Sequence, residues 1–339
     1  MGVLRPRAST PILNLYILSI SSTVYAMTSH ISSKTPATPS EDGRSDGTEM
    51  HPAHLSPSIE NQPQVAVALV NWNAYEETAQ ALCGLRSMTS PSVEIIVVDN
   101  GSTDGSGERL RQGFPEIALA ALPDNCGFGA ANNVVLRMAS ERGIPFVWLL
   151  NNDAVPHPEA LNRMLDQMHQ HPHVGAVGCV VRDMSPPHRV QIWGGGTISL
   201  WSGIVRHARG SVPMNRLDFL SAASLLLRTE TGVLFDERYF LYWEDADLTR
   251  RLRQAGWEWA VASDAEVFHK GSATTGKNPG ARSFHSGRNL QLYARTHSHW
   301  PRLFGLSSIL FQMLFKCLKG NWSAARGFWR GRREGMGVS

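Results

Sequence analysis

The stretch "YFLYWEDADLTRRL", Tyr239 to Leu252, holds the side chains that folding alone explains least. Glu244, Asp245 and Asp247 place three carboxylates within four positions, directly behind aromatic and aliphatic residues. Like charges that close repel one another, and apolar neighbours raise the cost of ionising them. A helix start accounts for part of the pattern. Acidic residues suit the positive end of a helix dipole, and Asp247 can pair with Arg251 one turn later. Gly256 is placed to end that helix. Asp245 is left without a structural duty. A carboxylate in such surroundings is raw material for proton transfer, provided a binding site adjoins it.

Three further polar clusters close apolar runs: Asn71 and Asn73 after "VAVALVNW", Asp99-Asn100-Gly101-Ser102 after "VEIIVVD", and Asn151-Asn152-Asp153 after "FVWLL". Any one of them could be ordinary turn chemistry, since Asn, Asp, Gly and Ser populate loops. The elements around them decide. The β-branched runs read as buried strands, with "IALAAL" as another. Between them, "EETAQALCGLRSM" and "GAANNVVLRMASERG" have helical spacing, the second closed by Gly143, and "GSTDGS" leads into a short helix near Gly107 to Arg111. This alternation predicts an α/β fold: right-handed β-α-β units around a mostly parallel central sheet flanked by helices, without internal repeats. Ligands bind such sheets beyond the carboxyl ends of the strands. Three polar clusters at one edge therefore point to a site.

"NCGFGAAN", Asn125 to Asn132, is not a dinucleotide fingerprint, because it follows the third strand and ends in Asn132 rather than glycine. It reads as a close approach of backbone to a ligand, with Asn132 adding a polar contact. Farther on, "WGGGTISLWSG" gives a glycine-rich turn with short strands, and "LDFLSAASLLLR" is an apolar segment. "WEWAVASDAEVFHKG" gives a strand followed by His269 in a loop.

Of the 339 residues, 42% are hydrophobic and 18% charged, as in a globular protein with material for one large domain or two small ones. A net charge of +3 is too small to suggest nucleic acid as a partner. Cys83, Cys126, Cys179 and Cys317 are far apart, which suggests neither a zinc site nor a disulfide framework and favours a reducing compartment. Residues 1–63 read as a disordered tail. Within it, residues 11–26, "PILNLYILSISSTVYA", form a weak signal-like or anchor segment, too short and polar to span a bilayer comfortably. Residues 64–275 carry the alternating pattern. Residues 276–339 mix apolar helical turns with basic side chains, which suits either a helix in a membrane interface or one packed on the domain.

The motifs "VDNGSTDGS", "NCGFGAANN", "LLNND", "FDERYFLYWEDADLTRRLRQAGW" and "VFHKGSAT", in that order, closely resemble family 2 glycosyltransferases, nearest the bacterial rhamnosyltransferase-like branch acting on surface polysaccharides. The resemblance spans roughly Val65 to Trp300. It implies a GT-A nucleotide-diphospho-sugar transferase fold. By this resemblance Asp99 meets the pyrimidine ring with Asn71 nearby, and the nucleotide-sugar site also draws on Asn100, Asn132, Asn151 and Asp153. Asn151 to Asp153 occupy the place of the metal-binding D-x-D motif, and His269 joins the metal, so that Asn151, Asp153 and His269 would hold Mg²⁺ or Mn²⁺. Asp153 is the motif's one charged residue, which leaves much of the coordination to diphosphate oxygens. Lys270, Arg282 and Arg288 are further candidates for the diphosphate, and Arg288-Asn289 resembles a pair common in the branch.

The same resemblance makes Asp245 the general base, with Glu244 as its neighbour, and gives the crowded acidic stretch a purpose. Displacement at an anomeric carbon requires the acceptor hydroxyl to lose a proton as it attacks. Tyr242 and Trp243 either wall the acceptor sugar or belong to the core. The implied function is inverting transfer of rhamnose or another hexose from a dTDP- or UDP-sugar to a lipid-linked or surface-polysaccharide acceptor. Its implied place is the cytoplasm, peripheral on the inner face of the cell membrane. Two alternatives stand beside it. One is a sugar-1-phosphate nucleotidyltransferase, disfavoured because "NWNAYEE" stands where a glycine-rich basic loop would be. The other is an inactive nucleotide-sugar or glycan-binding module.

Overall fold

The apolar run that opens the ordered sequence is buried at nearly every position, as a strand covered on both faces by helices must be. This strand, β1 (Val65–Asn71), leads through α1 (Tyr75–Arg86) to β2 (Val93–Asn100), then through α2 (Ser106–Gly113) to β3 (Ala118–Leu122), and through α3 (Phe128–Glu141) to β4 (Phe146–Leu150). All pairings among these four strands are parallel, in the order β3-β2-β1-β4. The computed structural model describes residues 63–88, 92–271 and 279–337. The expected tail and its segment 11–26 therefore lie outside the described residues, apart from Pro63.

The next part of the chain is β5 (Ala154–Pro156), α4 (Ala160–Gln170), β6 (Val174–Asp183), β7 (Val190–Trp193), β8 (Gly195–Ser199), β9 (Ile204–His207), β10 (Phe219–Leu220), β11 (Ser224–Arg228), α5 (Glu244–Gln254) and β12 (Glu258–His269). Here the sheet becomes mixed. β11 inserts antiparallel between β4 and β6, β12 runs parallel to β6, and β5 closes the edge antiparallel to β12. With β7 against β6, the main sheet has nine strands, while β10, β8 and β9 form a separate three-stranded sheet. The indole of Trp148, fully buried on β4, donates to Ser224 Oγ on β11 at 3.0 Å, so the seam between the two halves is both apolar and specifically paired. His269 is the last residue of β12 rather than a loop residue, because pairing with Ala154 and Asp183 extends that strand.

The chain ends in α6 (Pro279–His297), α7 (Pro301–Leu318) and α8 (Trp322–Gly335). Leu290 and Tyr293 of α6, Ile309 of α7 and Phe328 of α8 form a second core with Phe219, Tyr239 and Trp243. This core clamps the segment leading into the acidic helix α5. Inside α5, Asp247 is fully buried and bridges Arg251 Nε and His297 Nε2, both at 2.7 Å, so the i,i+4 pair expected from sequence gains a third member on α6.

Candidate active site

The polar clusters at the carboxyl ends of β1, β2 and β4 are joined by one network. Asn71 Nδ2 lies 3.0 Å from Asp99 Oδ1 and 2.9 Å from Ser106 Oγ, while Thr78 Oγ1 lies 2.9 Å from Asn71 Oδ1. Asn152 donates to Thr78 at 2.9 Å, which carries the network from β1 to the loop after β4. Asn73 uses its Oδ1 to accept from the Thr103 amide at 2.8 Å and so orders the turn before α2. Asp99 is 9% exposed, and its other oxygen sits so close over Gly107 that any side chain there would collide with it.

Two residues expected to meet the nucleotide directly are engaged with backbone instead. Asn100 accepts from the Cys126 amide at 3.0 Å and lies 3.3 Å from the Gly127 carbonyl, which fixes the loop before α3. Asn132, 1% exposed, returns its amide to the Phe128 carbonyl one turn earlier. The close approach expected at the glycine-rich loop is present, but its object is the chain itself. Gly127, at φ +92°, leaves no room for a Cβ beside the Phe240 carbonyl, which accepts from the Phe128 amide at 3.0 Å. The loop thereby anchors the segment that precedes the acidic helix.

At the other side of the edge, His269 Nε2 lies 3.0 Å from Asp153 Oδ1 and 3.2 Å from Asn151 Nδ2. Gln191 fixes the ring's protonation. Its amide nitrogen donates to the His269 carbonyl at 2.9 Å, so its oxygen, 3.0 Å from Nδ1, must accept, and Nδ1 carries the proton. The Nε2 lone pair then faces a carboxylate oxygen, and two electron-rich atoms at that distance need positive charge between them. A divalent cation held by both would supply it, and a histidine that holds a metal characteristically donates its other N–H to an outer partner, as Nδ1 does to Gln191. Among the described residues no group of three or more His, Cys, Asp or Glu side chains converges for a metal, so further ligands would come from Asn151, water and a diphosphate. Lys270 is engaged elsewhere, 2.9 Å from Glu77.

The acidic helix is entered through two consecutive residues in the left-handed region, Tyr242 at φ 69° and Trp243 at φ 74°. Neither is a glycine, and such conformations persist only when the surroundings impose them. The α6 pair imposes them here. Asn289 Nδ2, fully buried, donates to the Leu241 and Tyr242 carbonyls at 2.9 and 2.8 Å, and Arg288 donates to the Arg238 carbonyl at 2.6 Å. Arg288 is thus a clamp on the chain rather than a diphosphate ligand. Of the two aromatics, Trp243 is 5% exposed and packs 5.1 Å from Tyr293, which makes it core and no wall for a sugar. Tyr242 stays half-buried.

Glu244 and Asp245 follow directly. Burial pushes the Glu244 carboxyl up to about 8, with the Asp245 charge adding to the effect, and its Oε2 has no hydrogen-bond partner. Burial lifts Asp245 to about 6, opposed by the Ala246 and Ala222 amides that favour its charged form. Both shifts favour the protonated forms, that of Glu244 more strongly. Ala222 lies between β10 and β11. Its neighbour Ala223 accepts from the Asn151 amide at 3.0 Å. The base candidate and the Asn151–Asp153 turn are therefore fastened to the same short loop between β10 and β11. Sequence reading missed this backbone link, and it missed Gln191. A short strand residue 78 positions from its histidine carries no motif.

Residues 66–195 match the family described as "Glycosyl transferase family 2". The chain is 31% identical over 263 residues to N-acetylglucosaminyl-diphospho-decaprenol L-rhamnosyltransferase of Mycobacterium tuberculosis, covering 70% of this chain and 86% of that protein. Among solved structures it is similar to residues 1–349 of TarS from S. aureus, with TM-score 0.49, 16% identity, and 76% and 73% of the two chains covered. It is also similar to the mannosyltransferase PcManGT of Pyrobaculum calidifontis in complex with GDP-Man and Mn²⁺, with TM-score 0.49, 15% identity, and 96% and 88% covered. Matched along most of its length to a rhamnosyltransferase, and carrying its polar residues at the carboxyl ends of a parallel β-α-β half-sheet, the chain belongs to glycosyltransferase family 2 and is a glycosyltransferase of the GT-A fold.

Proposed function

We propose that the chain transfers rhamnose from a nucleoside-diphosphate donor, dTDP-rhamnose foremost, to a lipid-linked saccharide ending in N-acetylglucosamine, with inversion and with Asp245 as the general base. The carrying observation is the shared loop. Asp245 is held by the Ala222 amide, and Ala223 holds Asn151, which puts a carboxylate of raised pKa beside the turn assigned to the diphosphate. The rhamnosyltransferase relative, whose name specifies an N-acetylglucosaminyl-diphospho-decaprenol acceptor, supports the choice of sugar and acceptor.

In this reading the acceptor hydroxyl gives its proton to the Asp245 carboxylate as its oxygen bonds to the anomeric carbon. The bond from that carbon to the diphosphate breaks on the opposite face, and the nucleoside diphosphate leaves with the electron pair. Glu244, neutral beside it, lets Asp245 bear the pair's single negative charge before transfer. Asp99 receives the base of the nucleotide, oriented by the fully buried Asn71, with Asn100 ordering the loop beside it, and Tyr242 offers its open part to the acceptor. Asn151, Asp153 and His269 would hold Mg²⁺ or Mn²⁺, which supplies charge stabilisation to the departing diphosphate. Residues 64–275 serve as the catalytic part and α6 to α8 as the part facing the inner surface of the cell membrane, on the cytoplasmic side.

Incubating the chain with labelled dTDP-rhamnose and an N-acetylglucosaminyl-diphospho-lipid, with Mn²⁺, Mg²⁺ or chelator, tests this. The expected result is lipid-extractable label, one nucleoside diphosphate per sugar moved, and a product anomer opposite to the donor's. Donor binding without turnover on any sugar nucleotide would mark a binding module instead.

A further inference from the structure

Every exposed position of α7 from Leu303 through Leu318 is leucine or phenylalanine, with exposures from 42% at Phe311 to 78% at Leu318. Leu303, Leu306, Leu310, Leu314 and Leu318 recur at helical spacing and make one continuous stripe about 25 Å long. Trp322, 62% exposed at the start of α8, continues it. A contiguous apolar surface of this kind marks a docking face.

At the C-terminal end of the stripe lies a cleft of ≈ 240 Å³ between α6, α7 and α8, lined by Arg282, Ser283, Phe315, Lys316, Lys319 and Asn321. Among the described residues, none of its three cations has a carboxylate within ion-pair distance. Arg282 lies 5.7 Å over the Tyr242 ring, Lys316 Nζ is 3.0 Å from Gln312 Oε1, and Lys319 lies 4.3 Å over the Phe315 ring. Burial, and then the Arg282 charge, depresses the Lys316 pKa. The exposed Arg326, Arg330 and Arg333 of α8 add to the basic rim. A second copy docking face to face would set these cations against each other, whereas an anionic bilayer complements both stripe and rim.

We propose that α7 lies flat on an anionic membrane, its leucine and phenylalanine side chains in the acyl boundary and the Arg282–Lys316–Lys319 cleft holding the phosphate of a lipid headgroup. No helix among the described residues is long and apolar enough to cross a membrane, and an interfacial seat needs none. The inference deepens the lipid-linked acceptor reading. Arg282, in the cleft, also covers Tyr242, two residues before Glu244, so a membrane bound here places its carriers beside the acidic helix.

The test is sedimentation of the full chain with vesicles of phosphatidylcholine alone and of phosphatidylcholine with phosphatidylglycerol. Binding is expected on the second and not on the first. R282A/K319A, both at exposed positions, should weaken it about 25-fold, at roughly fivefold per cation removed. L310E/L314E should abolish it with unchanged melting and unchanged transfer to a water-soluble acceptor, which separates a failure of docking from a failure of the catalytic reading. Three results overturn the proposal: no vesicle binding by the wild type, binding indifferent to both variants, or a dimer that L310E/L314E dissociates while neither form binds vesicles. Vesicle binding that begins only once residues 1–62 are deleted also overturns it, because the stripe would then be covered by its own chain.

Discussion

Glu244→Gln removes one titrating group from a buried pair, and the consequence can be worked from the structure. Glu244 is 7% exposed, and burial with the adjacent Asp245 charge raises its carboxyl from 4.5 to about 8. The folded chain therefore keeps a proton that the unfolded chain releases. A raised folded pKa contributes stability that is fully present below about 4.5 and is lost as pH climbs toward about 8. At about 1.36 kcal/mol per pH unit, the wild type should lose about 2–3 kcal/mol relative to the variant between about pH 5 and pH 7. For a chain of this size that is about 5–10 °C of melting temperature. Thermal melts of both proteins across that range are the assay. The glutamine amide meets the same partnerless surroundings as Oε2, a constant offset that makes the divergence with pH, not the absolute difference, the readout. Parallel melting profiles would refute the reasoning, because Glu244 would then ionise as it does in water.

Two further substitutions probe positioning. Gln191→Leu leaves His269 free to change tautomer and should raise the half-saturating Mn²⁺ concentration about 10–100-fold, measured as metal-dependent donor binding; an unchanged value would remove Gln191 from the site. Asn289→Ala releases the Leu241 and Tyr242 carbonyls, and each buried group left unpaired costs about 1–3 kcal/mol. Turnover should fall while donor Kd stays constant, and equal losses in both would mark a general folding defect.

The half-sheet that carries the polar clusters was legible in the sequence. β1, β2 and β4 are continuous apolar runs ending in polar clusters, and period and punctuation suffice for such strands. The mixed half was not. "LDFLSAASLLLR" reads as apolar and extended, but nothing local tells β11 to run antiparallel between β4 and β6. Asp245 stood out because a helix start could not explain it. Trp243 and Tyr242 could not be separated, since aromatics before an acidic motif look alike whether they face a core or a cleft. The Gly127 motif was read as a close approach to a ligand, whereas what approaches is the Phe240 carbonyl of the chain itself, a contact 113 positions away that no local pattern encodes. Gln191 was invisible because its role arises from register between β6, β7 and β12.

Asp245→Asn keeps the shape of the side chain and removes its ability to take a proton, so it bears most directly on the account. Transfer should be measured by single-turnover assay beside donor affinity by calorimetry. The account predicts an unchanged donor Kd with turnover lowered about 10²–10⁴-fold. Turnover within about threefold of wild type would contradict it.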